Sequence, residues 1–184
     1  TRSQWCAYAN TPDPERPLVV GYVSGNFKHS SAGNCLEAIV LNHTDAVTPI
    51  CYNTNPAADD PISWVFQTCC RFVNVASFTE AEFAERVRAD HVDILIDCMG
   101  FTRGNRLGTF AERPAPIQLT GWGYATGTIP AMDGILLDAV TRGTDRFHER
   151  VPARGEDHGR RPGRRWLVVL LRLRRPDARR VPGE

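Results

Sequence analysis

The chain has 184 residues, 42% of them hydrophobic and 23% charged, which is enough to bury one sizeable core and reads as one domain with an appendage. No run approaches the ~18 apolar residues of a membrane helix, and the opening TRSQWCAYANTPDPERP lacks the basic-then-apolar layout of a secretory leader, so no membrane partner and a cytoplasmic setting are expected. The net charge of +1 joins two unlike parts: residues 1–140 carry 9 basic and 15 acidic side chains, residues 141–184 carry 13 arginines and 6 acids.

TPDPERP at 11–17 reads as an extended approach, after which Leu18, Val19, Val20, Gly21, Tyr22 and Val23 form an apolar run of buried-strand length ending in Ser24-Gly25-Asn26-Phe27. Cys35, Leu36, Ile39 and Val40 make a helical stripe over 33–42 behind the small residues Ser30 and Ser31. A second strand is expected over 47–52, a helix over 62–70 and a third strand over 71–75. Thr79 and Glu82 fit a capping box for a helix ending near Asp90. Residues 92–99 form a mostly apolar strand, closed by Gly100; a helix over 105–111 leads through RPAP into a strand over 117–120, and 135–137 is the last strand.

Strands that alternate with helices call for a parallel sheet covered on both faces. The fold class is α/β, a Rossmann-like domain, with residues 1–16 as the extended approach, 17–140 as the domain and 141–184 as an irregular Arg/Gly/Pro-rich tail. Ligands of such sheets bind beyond the carboxyl ends of the strands, which makes the loops at 24–31, 100–106 and 121–128 neighbours. All three are rich in glycine and hydroxyls, suited to a phosphate or a sugar that approaches the main chain closely. Neither G-x-G-x-x-G after the first strand nor a P-loop pattern occurs.

His29, on the first loop, can take a proton from a hydroxyl or pair with a phosphate. His43 and His91 flank helix ends as surface groups. Asp93 and Asp97, four apart on one strand, are read as strand-end carboxylates held in water rather than a catalytic pair. None of the six cysteines is spaced C-x-x-C, so a disulfide framework or zinc site is not expected; Cys35, Cys51 and Cys98 read as buried, inert thiols, as does the pair Cys69 and Cys70. No metal-ligand spacing joins the histidines.

Several blocks, in order, resemble the protein O-GlcNAc transferase family, including its bacterial SPINDLY-like members: RPLVVGYVSGNF (16–27), ADHVDILID (89–97), GFTRGNR (100–106), RPAPIQ (113–118) with Trp122-Gly123-Tyr124, and PAMD (130–133). The resemblance covers about residues 10–140. It implies one lobe, the amino-terminal one, of a two-lobed GT-B glycosyltransferase that moves GlcNAc from UDP-GlcNAc to a Ser or Thr of a protein acceptor, with inversion and with no metal or other cofactor. It implies donor contacts at Asn26, Ser30, Thr102, Gly121, Trp122 and Gly123, and a catalytic imidazole on the first loop. The family pattern S-x-D-F-x-x-H would place that histidine at Ser30; here Asn26 stands for the aspartate and the imidazole comes one position early, at His29.

The sequence starts at Thr1 and the resemblance stops after Val140, so the chain is expected to be a fragment without the carboxy-terminal lobe and TPR repeats of the family, inactive alone. The tail reads as an out-of-frame or truncated stretch; its apolar run at 166–171 argues against a solvated nucleic-acid arm, so nucleic acid is not an expected partner. A stand-alone nucleotide- or sugar-binding module and a nonfunctional remnant are the alternative readings.

Overall fold

A computed structural model of the chain describes residues 8–57, 60–121 and 129–136, and the backbone of 137 and 167–170. The elements follow the expected order through β6, and one strand is added that was not expected: β1 (Leu18–Ser24), α1 (Ser31–Val40), β2 (Val47–Asn53), α2 (Pro61–Cys69), β3 (Arg71–Asn74), α3 (Glu80–Ala89), β4 (Ile94–Asp97), α4 (Leu107–Ala111), β5 (Ile117–Gly121), β6 (Gly134–Leu137) and the additional β7 (Leu167–Leu170). The seven strands form one parallel sheet in the order β3-β2-β1-β4-β5-β6-β7. The strand order reverses between β1 and β4, which opens a crevice at their carboxyl ends. β7 comes from the apolar run inside the stretch read as an irregular tail. It pairs with the edge that β6 would otherwise leave open.

Alternation along the strands divides the core in two. Val20, Tyr22, Cys51 and Ile96 face α1 and α2, where Leu36, Ile39, Val40 and Phe66 cover them. Val23, Ile50, Tyr52 and Leu95 point the other way, under Phe83 and Val87 of α3 and Phe110 of α4. A period of two on the strands meets helical stripes on both faces, as a doubly covered sheet requires. Cys35 is exposed, contrary to expectation: it lies one position, about 100° of helix rotation, off the stripe of Leu36, Ile39 and Val40.

β4 is shorter than its apolar run because a carboxylate acts at each end. Asp93 is 8% exposed, not solvated as expected. Its oxygens accept two bonds from the Arg16 guanidinium at 2.6 and 2.7 Å, one from Asn10 Nδ2 at 2.7 Å and one from the Val19 N–H at 2.9 Å. The Arg16 bonds hold its carboxyl below the ordinary range. This hub pins the extended approach to the amino edge of the sheet. On the same edge Arg113 Nη1 donates to Asp133 at 2.9 Å, Asp133 accepts from the Gln118 N–H at 2.9 Å, and Gln118 Nε2 donates to the Phe110 carbonyl at 2.9 Å. The RPAPIQ and PAMD blocks are thus one structural joint at the entrance to β5.

His43 is half-buried rather than a surface group, with Nε2 2.8 Å from the Tyr22 hydroxyl. Burial lowers its pKa from the ordinary 6.5. The unfolded chain therefore binds a proton that the folded chain resists, and the stability this residue contributes is present above about pH 6.5 and falls away as pH drops below it. Urea midpoints measured from pH 8 to pH 5 are expected to decline through that window, and His43→Gln is expected to remove this part of the decline.

Candidate functional site at the carboxyl edge

The carboxyl ends of β2, β1, β4 and β5 fall level because Ser24 pairs with Asn53, Val23 with Asp97, and Asp97 with Thr120. Asp97, 1% exposed, ends β4 by accepting the N–H groups of Met99 and Gly100, both at 3.0 Å, and the Thr120 hydroxyl at 3.2 Å. Burial still pushes its carboxyl above the ordinary 3.8, the three donors holding it back. This carboxylate is neither solvated, as expected from sequence, nor open to a substrate. It fixes the turn after β4 against β5.

The Met99 side chain then crosses from that turn to the one after β1. Its thioether accepts from the Gly25 N–H at 3.2 Å and Asn26 Nδ2 at 3.5 Å, with the Ser24 hydroxyl at 3.7 Å. Asn26 also donates its N–H to Ser24 Oγ at 3.0 Å, and the Thr102 hydroxyl donates to the Met99 carbonyl at 2.7 Å. Asn26 and Thr102, from loops some 75 residues apart, are thus both tied to Met99, the first at its sulfur and the second at its carbonyl. Gly121 ends β5 beside Thr120; a Cβ there would stand 2.7 Å from Leu136 Cβ, so glycine permits the close approach of β6. Trp122 and Gly123, expected at the same rim, lie outside the described residues.

The first loop is built on helix starts. Ser30 is the N-cap of α1: its Oγ accepts from the Gly33 N–H at 3.0 Å and donates to the Lys28 carbonyl at 3.3 Å. Asp60, N-cap of α2, accepts from Ile62 and Ser63 and also from the His29 N–H at 3.1 Å. The bonds, that of Ser63 first, lower the Asp60 pKa below 3.8. The His29 main chain is therefore tied to α2 and its side chain is exposed. Phe27 turns inward, wholly buried, with its ring edge-on to Phe66 at 4.9 Å and Phe72 at 5.9 Å.

Gly33 is where the loop folds onto α1. A Cβ there would lie 1.9 Å from the Lys28 carbonyl oxygen and 2.7 Å from that of Asn26. Gly33→Ala is expected to cost at least about 2 kcal/mol, since both obstacles are backbone, and to displace Asn26 and His29. Thermal unfolding and the amide shifts of residues 26–30 check it.

Sequence reading passed over Met99 and Thr54. Position gives the only sequence signal for them: each lies at or just after the carboxyl end of a strand. Thr54 Oγ1 is buried with no hydrogen-bond partner among the described residues, while a Cβ on Gly25 would approach it to 3.0 Å. Removing an unsatisfied hydroxyl costs little, so Thr54→Val is expected to change stability by less than about 1 kcal/mol in either direction, checked by urea denaturation.

The contacts around Met99 are thus made by uncharged hydroxyl and amide groups, while the same two loops also carry His29, Lys28, Arg103 and Arg106; the amino edge is ion-paired. Among the described residues no three His, Cys, Asp or Glu side chains converge as a metal site, and no helix is long and apolar enough to cross a membrane.

Comparison with known proteins places this edge in context. The profile of Glycosyl transferase family 41 matches residues 4–151. A protein of Arabidopsis thaliana described as probable UDP-N-acetylglucosamine-peptide N-acetylglucosaminyltransferase SPINDLY is 30% identical over 154 residues, 80% of this chain and 17% of that protein. The UDP-N-acetylglucosamine-peptide N-acetylglucosaminyltransferase of Caenorhabditis elegans is 33% identical over 129 residues, 67% of this chain and 11% of that one. A solved structure of a Thermobaculum terrenum O-GlcNAc transferase mutant superposes with a TM-score of 0.67 at 36% identity, covering 72% of this chain and 26% of the transferase. The chain spans only 17% of the length of the first of these relatives and about a quarter of the solved one.

Proposed function

The chain belongs to glycosyl transferase family 41, and on that premise we propose that it forms the amino-terminal lobe of a GT-B protein O-GlcNAc transferase, whose carboxyl edge is one wall of a site for UDP-GlcNAc and a Ser or Thr of a protein acceptor. The observation that carries this reading is the joining of the loops after β1 and β4 through Met99, with β5 locked alongside through Asp97 and Thr120. Asn26, Ser30, Thr102, Gly121, Trp122 and Gly123 are the proposed donor-side residues. The edge groups suit a polyhydroxylated ligand, because hydroxyls and amides can both donate and accept.

In an inverting transfer the acceptor oxygen attacks the anomeric carbon as UDP departs from the opposite side, and the acceptor proton passes to a base. We assign that base to His29, whose ring is exposed while its main chain is held by Asp60. A cytoplasmic setting belongs to the same proposal, supported by five free cysteines among the described residues.

One wall binds without enclosing. Calorimetric titration of the chain with UDP-GlcNAc is expected to show weak, saturable binding, and incubation with UDP-GlcNAc and a serine-containing peptide is expected to show no transfer. Absence of saturable heat contradicts the donor wall; transfer by the chain alone contradicts the need for a second lobe.

A further inference from the structure

On the α1–α2 side of the sheet, Cys51 and Cys70 bring their sulfurs to 3.2 Å. Cys51 is wholly buried in β2, while Cys70 is half-buried and its Sγ lies 2.9 Å from the Phe66 carbonyl oxygen. Both thiols are free. Cys70 occupies the single position between the end of α2 at Cys69 and the start of β3 at Arg71, in extended backbone. Its N–H donates the closing bond of α2 to the Phe66 carbonyl at 3.2 Å, and its side chain can turn about the Cα–Cβ bond without breaking that bond or the β3 ladder.

We propose that Cys51 and Cys70 form an oxidation site, a dithiol that a hydroperoxide converts to an intramolecular disulfide. Closure to a normal S–S bond asks the sulfurs to approach by roughly 1 Å, and rotation at Cys70 is the mobile part of that movement. In the first step the Cys70 sulfur attacks one oxygen of hydrogen peroxide, breaking the O–O bond; water leaves and Cys70 becomes a sulfenic acid. In the second the Cys51 sulfur attacks the sulfenic sulfur, its proton leaves with the departing hydroxyl as a second water, and the disulfide forms. Two thiols lose two electrons and two protons, and one peroxide gains them. Access favours Cys70 as the attacking group, since Cys51 is shut away from solvent. The hydrogen bond with Cys51 also lowers the Cys70 thiol below its ordinary range, while that contact and burial raise Cys51. The closed bond would tie the α2–β3 junction to β2. α2 is the helix whose N-cap, Asp60, holds the His29 main chain.

Among the described residues the competitors are Cys35 and Cys69, both exposed. The folded chain is treated with hydrogen peroxide, blocked with iodoacetamide under denaturing conditions, and read by intact mass and peptide mapping. The expected result is a monomer about 2 Da lighter before blocking, with two of the six thiols lost and a crosslinked peptide joining residues 51 and 70. Cys69→Ser is expected to leave the crosslink unchanged. Cys51→Ser is expected to abolish it and let a dimedone-reactive sulfenic acid accumulate at Cys70. A crosslink through Cys69, a linkage between chains, or added oxygen at Cys70 without a bond to Cys51 overturns the proposal. So does persistence of both thiols under conditions that oxidise Cys35 and Cys69.

Discussion

Asp97→Ala is expected to lower the unfolding free energy by about 3 kcal/mol and to loosen the loop after β4. The buried carboxylate accepts from two main-chain N–H groups and a hydroxyl. Each donor left unsatisfied costs about 1–3 kcal/mol, and the turn can relax to recover part of the total. Asp97→Asn keeps the shape and one acceptor oxygen but turns an amino group toward the other donor, so its cost at neutral pH is expected to be nearer 1 kcal/mol. The two variants also differ in pH behaviour. Burial raises the folded Asp97 pKa above 3.8, so the folded state holds this proton more tightly than the unfolded one. The stability linked to it is complete below about pH 3.8 and is lost as pH rises through the folded value. Asp97→Asn lacks that loss. Urea denaturation, with limited proteolysis of residues 98–106, checks both statements, and equal stability of Asp97→Ala and the parent chain would refute them.

Phe27→Ala should be the more damaging change, although Phe27 lies in a loop. Its ring is fully buried between Phe66 and Phe72 and its carbonyl accepts from Ser63 Oγ at 2.7 Å. Truncating such a ring removes about 3–5 kcal/mol, or roughly 10 °C of melting temperature in a chain of this size. The effect reaches the edge as well, because Phe27 holds down the segment between Asn26 and His29. Phe101→Ala is the natural control: this phenylalanine sits on the loop after β4 but is 56% exposed, and its loss is expected to cost less than about 0.5 kcal/mol. Thermal denaturation of both variants side by side separates burial from residue type.

Most of the sheet was legible in sequence because its signals are local. The Thr79–Glu82 capping box is present, Glu82 N–H donating to Thr79 Oγ1 at 3.2 Å and Thr79 N–H to Glu82 Oε2 at 2.7 Å, and the apolar runs of β1, β2 and β4 became neighbouring strands. What escaped depends on partners distant in the chain. Asp93 looks like a strand-end carboxylate until Arg16, 77 positions away, is found against it. Met99 looks like core filler, since nothing in its neighbourhood announces that its sulfur would meet Gly25 and Asn26. His43 seemed a surface residue for the same reason, Tyr22 being on another element. Cys35 failed differently: adjacency to Leu36 in sequence hides a rotation of about 100° around the helix axis.

The loops after β1 and β4 were legible as one edge from the alternation of strands and helices, while the third expected loop lies outside the described residues beyond Gly121. Its chemistry was less so. The resemblance drew attention to RPAPIQ and PAMD, yet Arg113, Gln118 and Asp133 work at the opposite end of β5 as structural ties. The groups that join the edge, Asp97, Met99 and Thr120, came from the three-dimensional arrangement. Ser30, where the family pattern places histidine, caps α1, so the imidazole at His29 starts from one position earlier in the loop.

Hydrogen–deuterium exchange of the chain with and without UDP-GlcNAc tests the shared donor wall most directly. Slower exchange confined to the amides of residues 24–30, 99–105 and 120–123 is the predicted outcome, with residues 113–118 at the other edge unchanged. Protection at only one of the three segments, or at the amino edge instead, would contradict a common surface at the carboxyl ends of β1, β4 and β5.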